Sequence, residues 1–293
     1  NFVVDRFWGL HARAFWQISR TRSLNTLNQY DALVVSQNSL GFALGLLKNN
    51  GKLVPRVAFI LMGGLANDLG TRRHGVRRRA LRNMTVLTLS RGEEAMLAES
   101  AELDVRYLPF GVDTAFWTPA TEPAGTSDKP YVLAVGSDPQ RDYTTLLQAW
   151  RPDFPLLRIV TRLALTDIPE NVEIIAGHFA GNALRDTDIR ALYQSAVLVV
   201  VPLRETIQPS GQSVTLQAMA CGRPVILTET AGLWDRELMV DGETCALVSG
   251  GDPDKLADRV AALLAAPRDA SAIGARARTA VHAHLGLNVT ARA

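Results

Sequence analysis

The chain is poor in several residue classes, and each shortage excludes something. Its 293 residues contain only two cysteines, Cys221 and Cys245. That is too few for a disulfide scaffold, and no CxxC or Cys/His cluster offers a zinc site. A reducing compartment fits this usage, and the chain reads as cytoplasmic. Aromatics make up only 6%. Neither sign of charge dominates: 31 Lys+Arg stand against 29 Asp+Glu, for a formal net charge of +2. A dedicated nucleic-acid binder would be strongly basic, so no nucleic-acid partner is expected. A disordered tail protein is excluded too. No apolar run reaches the ~18 residues of a membrane span. The start, Asn1-Phe2-Val3-Val4-Asp5, lacks the basic-then-apolar order of a signal peptide, and it does not begin with Met. The five histidines are scattered, so no metal is expected. No Ser-His-Asp order or Cys-His pair points to a hydrolase.

What is present is globular material, 47% hydrophobic and 20% charged, enough for about two domains. In the second half, continuous apolar runs recur at Tyr131–Gly136, Leu157–Thr161, Val172–Ala176, Val197–Pro202, Pro224–Thr228 and Cys245–Val248. Runs without alternation predict strands covered on both faces. Helical stretches lie between them at Asp142–Trp150, Thr187–Ser195, Gln212–Ala220 and Pro253–Ala266. This alternation predicts a parallel, Rossmann-like α/β layer that binds its ligand beyond the carboxyl ends of the strands.

The first half repeats the pattern less completely. Strands are predicted at Ala32–Ser36, Val57–Met62, Thr85–Leu89 and Val105–Leu108. Helices are predicted at Ser39–Asn49, Thr71–Arg82 and Arg91–Ser100. Pro119–Pro130, PATEPAGTSDKP, reads as a linker. The expected domains are therefore 1–118, a linker at 119–130, 131–278, and a C-terminal helix at 279–293 that crosses back to the first domain. Residues 1–118 hold 15 Lys+Arg and 9 Asp+Glu, a charge of +6, which leaves −4 for the rest. The Arg72–Arg82 segment is the strongest basic cluster. Its functional reading is contact with an anionic membrane surface or a lipid-phosphate acceptor; the alternative is a solvated helix face.

Two segments carry the candidate site. In Pro202–Thr228, PLRETIQPSGQSVTLQAMACGRPVILT, a strand ends, a polar loop holds Ser210, Gly211, Gln212 and Ser213, and a helix follows. Gly211 permits close backbone approach, and the helix N-terminus offers free N–H groups and a positive dipole end to an anion. Ser213 and Gln217 are four apart and share a helix face. The bland alternative is that Ser210 or Ser213 only caps the helix. In Tyr131–Trp150, a strand runs into a Gly136 turn, and Arg141 at the mouth of the loop can bond a phosphate. The alternative there is a solvated surface arginine. Asp186-Thr187-Asp188 spells DxD but precedes a helix, so it reads as capping rather than as a metal motif. Asp252-Pro253 reads the same way.

With these residues in view, residues 131–250 resemble the nucleotide-sugar domain of a retaining, family-4-like GT-B glycosyltransferase. The match rests on Arg141 after the Gly136 turn, on Gln217-Ala218-Met219-Ala220-Cys221-Gly222-Arg223-Pro224-Val225, and on Pro109-Phe110-Gly111-Val112-Asp113 near the linker. The resemblance implies two Rossmann-like domains facing a cleft, the N-terminal one lacking its usual first strand and Gly-rich loop. It implies transfer of a sugar from a nucleotide diphosphate sugar, the donor substrate, with retention of configuration and no cofactor. Donor binding would fall to Gly136, Arg141, Ser210, Gly211, Gln212, Ser213 and Gln217. The acceptor side would include Gly63 and Gly64, with a lipid-phosphate or glycan acceptor. The departures are specific. Gln217 and Pro209 stand where the family has an acidic pair, Ser137 stands where it has a basic partner, and Met62-Gly63-Gly64 lacks its histidine. No residue is assigned as catalytic. The alternatives are a binding protein without turnover and a GT-B-shaped sugar-nucleotide epimerase.

Overall fold

The computed structural model describes residues 12–63, 65, 72–99, 103–121, 129–176 and 184–291, the side chains of 12–14, 21, 72 and 73 aside. The chain divides into two compact units, Asn1–Leu108 with Ile207–Pro209, and Pro109–Thr206 with Ser210–Ala293.

In the first unit the order is α1 (Ala12–Ile18), α2 (Thr21–Leu27), β1 (Ala32–Val35), α3 (Asn38–Asn49), β2 (Arg56–Leu61), α4 (Arg72–Ala80), β3 (Thr85–Thr88), α5 (Arg91–Ala98) and β4 (Asp104–Tyr107). The four strands pair in parallel in the order β1-β2-β3-β4. Every strand predicted from the sequence here is present, within a residue or two at each end. Val57, Phe59 and Leu61 on β2 are buried with Phe42 and Leu47 of α3. Phe42 and Phe59 meet edge to face at 5.4 Å, a favoured aromatic geometry.

In the second unit the order is β5 (Tyr131–Val135), α6 (Tyr143–Ala149), β6 (Leu156–Thr161), β7 (Val172–Ala176), α7 (Asp186–Ser195), β8 (Leu198–Val201), α8 (Gln212–Ala220), β9 (Val225–Glu229), β10 (Ala246–Ser249), α9 (Pro253–Ala265), α10 (Pro267–His284) and α11 (Leu287–Thr290). The strands form one parallel sheet in the order β10-β9-β8-β5-β6-β7. β5 and β8 are buried at every position, as continuous apolar runs require. The chain lays β6 and β7 on one side of β5, then returns to lay β8, β9 and β10 on the other. The loops leaving β5 and β8 therefore diverge, which makes their carboxyl ends the topological switch point where ligands of such sheets bind.

Two expectations about domain limits do not hold. Pro109–Thr118 lies in the second unit, not the first. The cause is apolar: Val112 and Trp117 are buried in the second unit's core, with Phe110 and Phe116 packed against it. Trp117 also meets Tyr193 edge to face. The helix expected to begin at 279 begins at Pro267 and runs unbroken through that point. The segment after it is tied to Val112, whose N–H donates to the Leu285 carbonyl and whose carbonyl accepts from the Leu287 N–H. Residues 279–293 thus belong to the second unit. Most of the expected linker, 122–128, lies outside the described residues.

Candidate functional site

The site grows from the β5 turn. β5 ends at Val135, and Gly136 follows with φ +147°. Its N–H donates to the Val160 carbonyl at 3.0 Å, and its carbonyl accepts the Tyr143 hydroxyl at 2.8 Å. Burial pushes that phenol up to about 12, so it stays a donor. The turn continues through Asp138, whose carboxylate accepts the Gln140 N–H at 2.8 Å and whose carbonyl accepts the Arg141 N–H at 2.9 Å. Arg141 then forms an antiparallel bridge with Leu203, just beyond β8. Asp142 ends the loop by capping α6, accepting from the Thr145 N–H.

Arg141 is not the solvated arginine of the bland reading. It is 5% exposed. Two glycines make room for its guanidinium. A Cβ on Gly136 would lie 2.2 Å from Nε, and a Cβ on Gly211 would lie 3.0 Å from Nη1. Gly211 also has φ +78°, a region that disfavours side chains. Nη1 donates to Ser210 Oγ at 3.5 Å, and that hydroxyl donates to Asp138 Oδ2 at 2.7 Å. Nε has no hydrogen-bond partner among the described residues. A guanidinium cannot shed its charge in a protein, so burying one is a costly arrangement.

The other half of the site is α8. Its N-cap is Gly211, and no side chain caps it. The capping reading of Ser210 and Ser213 is therefore overturned: the Ser210 hydroxyl is committed to Asp138 instead. The N–H groups of the first turn, Gln212 to Val214, have no acceptor within the helix. Ser213 and Gln217 are half-buried on one face, while Thr215, Leu216 and Ala218 to Ala220 are buried. Gln212 is buried, which sets its side chain apart from Ser213 and Gln217. The helix ends at Gly222, φ +73°, as expected of a C-cap.

Of the expected donor residues, the structure brings together Gly136, Arg141, Ser210, Gly211 and the first turn of α8, with Gln217 one turn further on. Gly63 lies in the first unit, in a turn with φ +68° that Asn38 locks by bonding the Met62 N–H and the Gly63 carbonyl. Gly64 lies outside the described residues. The DxD does serve a helix start: Arg185 is the N-cap of α7, and Asp188 accepts its N–H at 2.9 Å. Asp252 caps α9 as expected. Both cysteines are buried, and burial pushes each thiol up to about 12, so neither is a thiolate at neutral pH. Among the described residues no group of three or more His, Cys, Asp or Glu could hold a metal ion. Sequence reasoning missed Asp138, three residues past the end of β5, where it accepts the Ser210 hydroxyl.

Comparison with known proteins bears on this geometry. Residues 129–266 match the family model for Glycosyl transferases group 1. Through this segment the chain is similar to the group 1 glycosyl transferases. The matched segment spans β5 to the end of α9 and contains every residue expected to bind the donor. A D-inositol 3-phosphate glycosyltransferase of Mycobacterium avium is 42% identical over 32% of this chain and 21% of its own length. A GDP-mannose-dependent monoacylated alpha-(1-6)-phosphatidylinositol monomannoside mannosyltransferase of Corynebacterium glutamicum is 30% identical over 60% of this chain and 51% of its own. The chain thus spans about a fifth to a half of these relatives. Among solved structures, a sucrose-phosphate synthase from Thermosynechococcus elongatus aligns with a TM-score of 0.79 at 20% identity, covering 96% of this chain and 77% of that one. Anabaena HepE, solved with UDP-glucose, aligns at 0.75 and 14% identity, covering 92% and 79%. The fold is GT-B type, built from two Rossmann-like α/β units.

Proposed function

We propose that this protein is a glycosyltransferase that moves a sugar from a nucleotide diphosphate sugar to an acceptor, with retention at the anomeric carbon. One observation carries the reading: a permanently charged, buried arginine, held in a slot between two glycines, stands beside the uncapped N-terminus of α8 at the sheet's switch point. Both features favour an anion. A leaving diphosphate develops charge in the transition state, and donors fixed in advance stabilise it without reorganising. In this arrangement Arg141 and the N–H groups of Gln212 and Ser213 hold the diphosphate, and the half-buried Gln217 meets the ribose or sugar hydroxyls. Ser210 acts on Arg141 rather than on the donor. No metal or cofactor takes part in this scheme.

The acceptor is a phosphorylated polyol or a lipid bearing one. Curated relatives are named for inositol phosphate and phosphatidylinositol mannoside acceptors. The first 118 residues carry a charge of +6, and between Asp68 and Glu93 there are seven arginines and no acidic residue. That stretch suits an anionic acceptor or the inner face of a membrane. No described helix is long and apolar enough to cross one.

The test is product analysis. The purified protein is incubated with UDP-glucose or GDP-mannose, with and without inositol phosphate or phosphatidylinositol vesicles. A new glycoside of retained anomeric configuration is expected. Donor binding with no product on any acceptor would favour a binding module, which the missing acidic pair at Pro209 and Gln217 makes the natural rival. An altered sugar nucleotide formed without acceptor would instead mark an epimerase.

A further inference from the structure

The charge around Arg141 does not balance for the ligand proposed above. Arg141 supplies +1, but Ser210 links it to the Asp138 carboxylate, which offsets it. A nucleoside diphosphate brings two or more negative charges, and the end of a helix contributes only about half a unit charge. A second cation is required at the same turn. The parallel register pairs Val135 with Val160, which brings Ser137 level with Arg162, the first residue after β6. The two are fastened: the Arg162 N–H donates to Ser137 Oγ at 2.9 Å. The next residue is held as well, since the Leu163 N–H donates to the buried Thr161 hydroxyl. The Arg162 backbone is therefore fixed beside Gly136. Its side chain is exposed and makes no ion pair or side-chain hydrogen bond among the described residues.

We propose that Arg162 is the second cation of the diphosphate site, flanking the Gly136–Ser137 turn on the β6 side as Arg141 flanks it on the β8 side. This rests on the reading of the site as a nucleotide-sugar site. The rival is Arg204, also exposed, whose N–H donates to the Gln140 carbonyl at 2.9 Å. Arg204 follows Leu203, past the bridge to Arg141, and has no such tie to Ser137 among the described residues. A guanidinium tied only by its backbone is free to close on a phosphate, while its anchor fixes where it starts.

Calorimetric titration of the wild type, Arg162→Gln, Arg162→Lys and Arg204→Gln with UDP and GDP tests the assignment. Arg162→Gln should weaken the tighter-binding nucleotide about tenfold or more, the loss of one charge-assisted bond, and should flatten the dependence on salt. Arg162→Lys should recover part of the loss, and Arg204→Gln should bind like the wild type. All variants should melt like the wild type, because both side chains are exposed. Wild-type affinity in Arg162→Gln, or a loss confined to Arg204→Gln, overturns the assignment and leaves the nucleotide-sugar reading intact. A wild type that binds neither nucleotide overturns both.

Discussion

Both units bury an ionisable side chain near the carboxyl edge of the sheet, and the two are handled in opposite ways. In the second unit it is Arg141, in the loop after β5. In the first it is Glu93, in the opening turn of α5 just after β3. Glu93 is fully buried, and neither carboxyl oxygen has a hydrogen-bond partner among the described residues. Burial pushes it up to about 7. A carboxyl group can escape the cost of burial by holding its proton; a guanidinium has no such exit. Burying Glu93 therefore needs no ligand to explain it. Burying Arg141 does, and its two-glycine slot shows a place built for the cation rather than a cation trapped by packing. This contrast, more than the fold, supports the proposal of an anion site in the second unit.

The contrast can be broken most forcefully at the slot. Gly136→Ala puts a methyl 2.2 Å from Arg141 Nε and strains a backbone at φ +147°. Nucleoside diphosphate affinity should fall about a hundredfold, at a stability cost of about 1–3 kcal/mol. Titration and a thermal melt read both effects. Near-wild-type binding would show that Arg141 does not need the slot.

A smaller effect should appear at Glu93. Its folded value, about 7, lies above the ordinary 4.5. The folded state therefore keeps a proton that the unfolded chain releases, and stability falls as pH rises from about 4.5 through 7. The full loss above pH 7 is on the order of 3 kcal/mol for a shift of this size. Glu93→Gln should remove that slope. Urea unfolding at pH 5 and pH 8 should show the wild type losing more stability than the variant; parallel losses would mean that Glu93 is not protonated in the fold.

Much of this was legible in the sequence where one segment sufficed. The strands of the second sheet are unbroken apolar runs, so both their state and their two-sided burial follow. Gln212–Ala220 is bounded by glycines that end a helix cleanly. What could not be read depends on which segments meet. Nothing local in Tyr131–Trp150 shows that Gly211, from a loop beyond β8, closes over Arg141. For the same reason Ser210 looked like a cap: its true partner, Asp138, belongs to the other loop. The domain edge was misplaced because Pro119–Pro130 has a linker's composition, while the packing of Val112 and Trp117 into the second core decides the division.

The central claim is that Arg141 is buried as an anion receptor. Titration of wild type and Arg141→Gln with UDP and GDP tests it most directly. The account predicts that the wild type binds one of them and that the variant binds it at least tenfold more weakly. A variant that binds as tightly as the wild type, or one whose only change is a large drop in melting temperature, would contradict it.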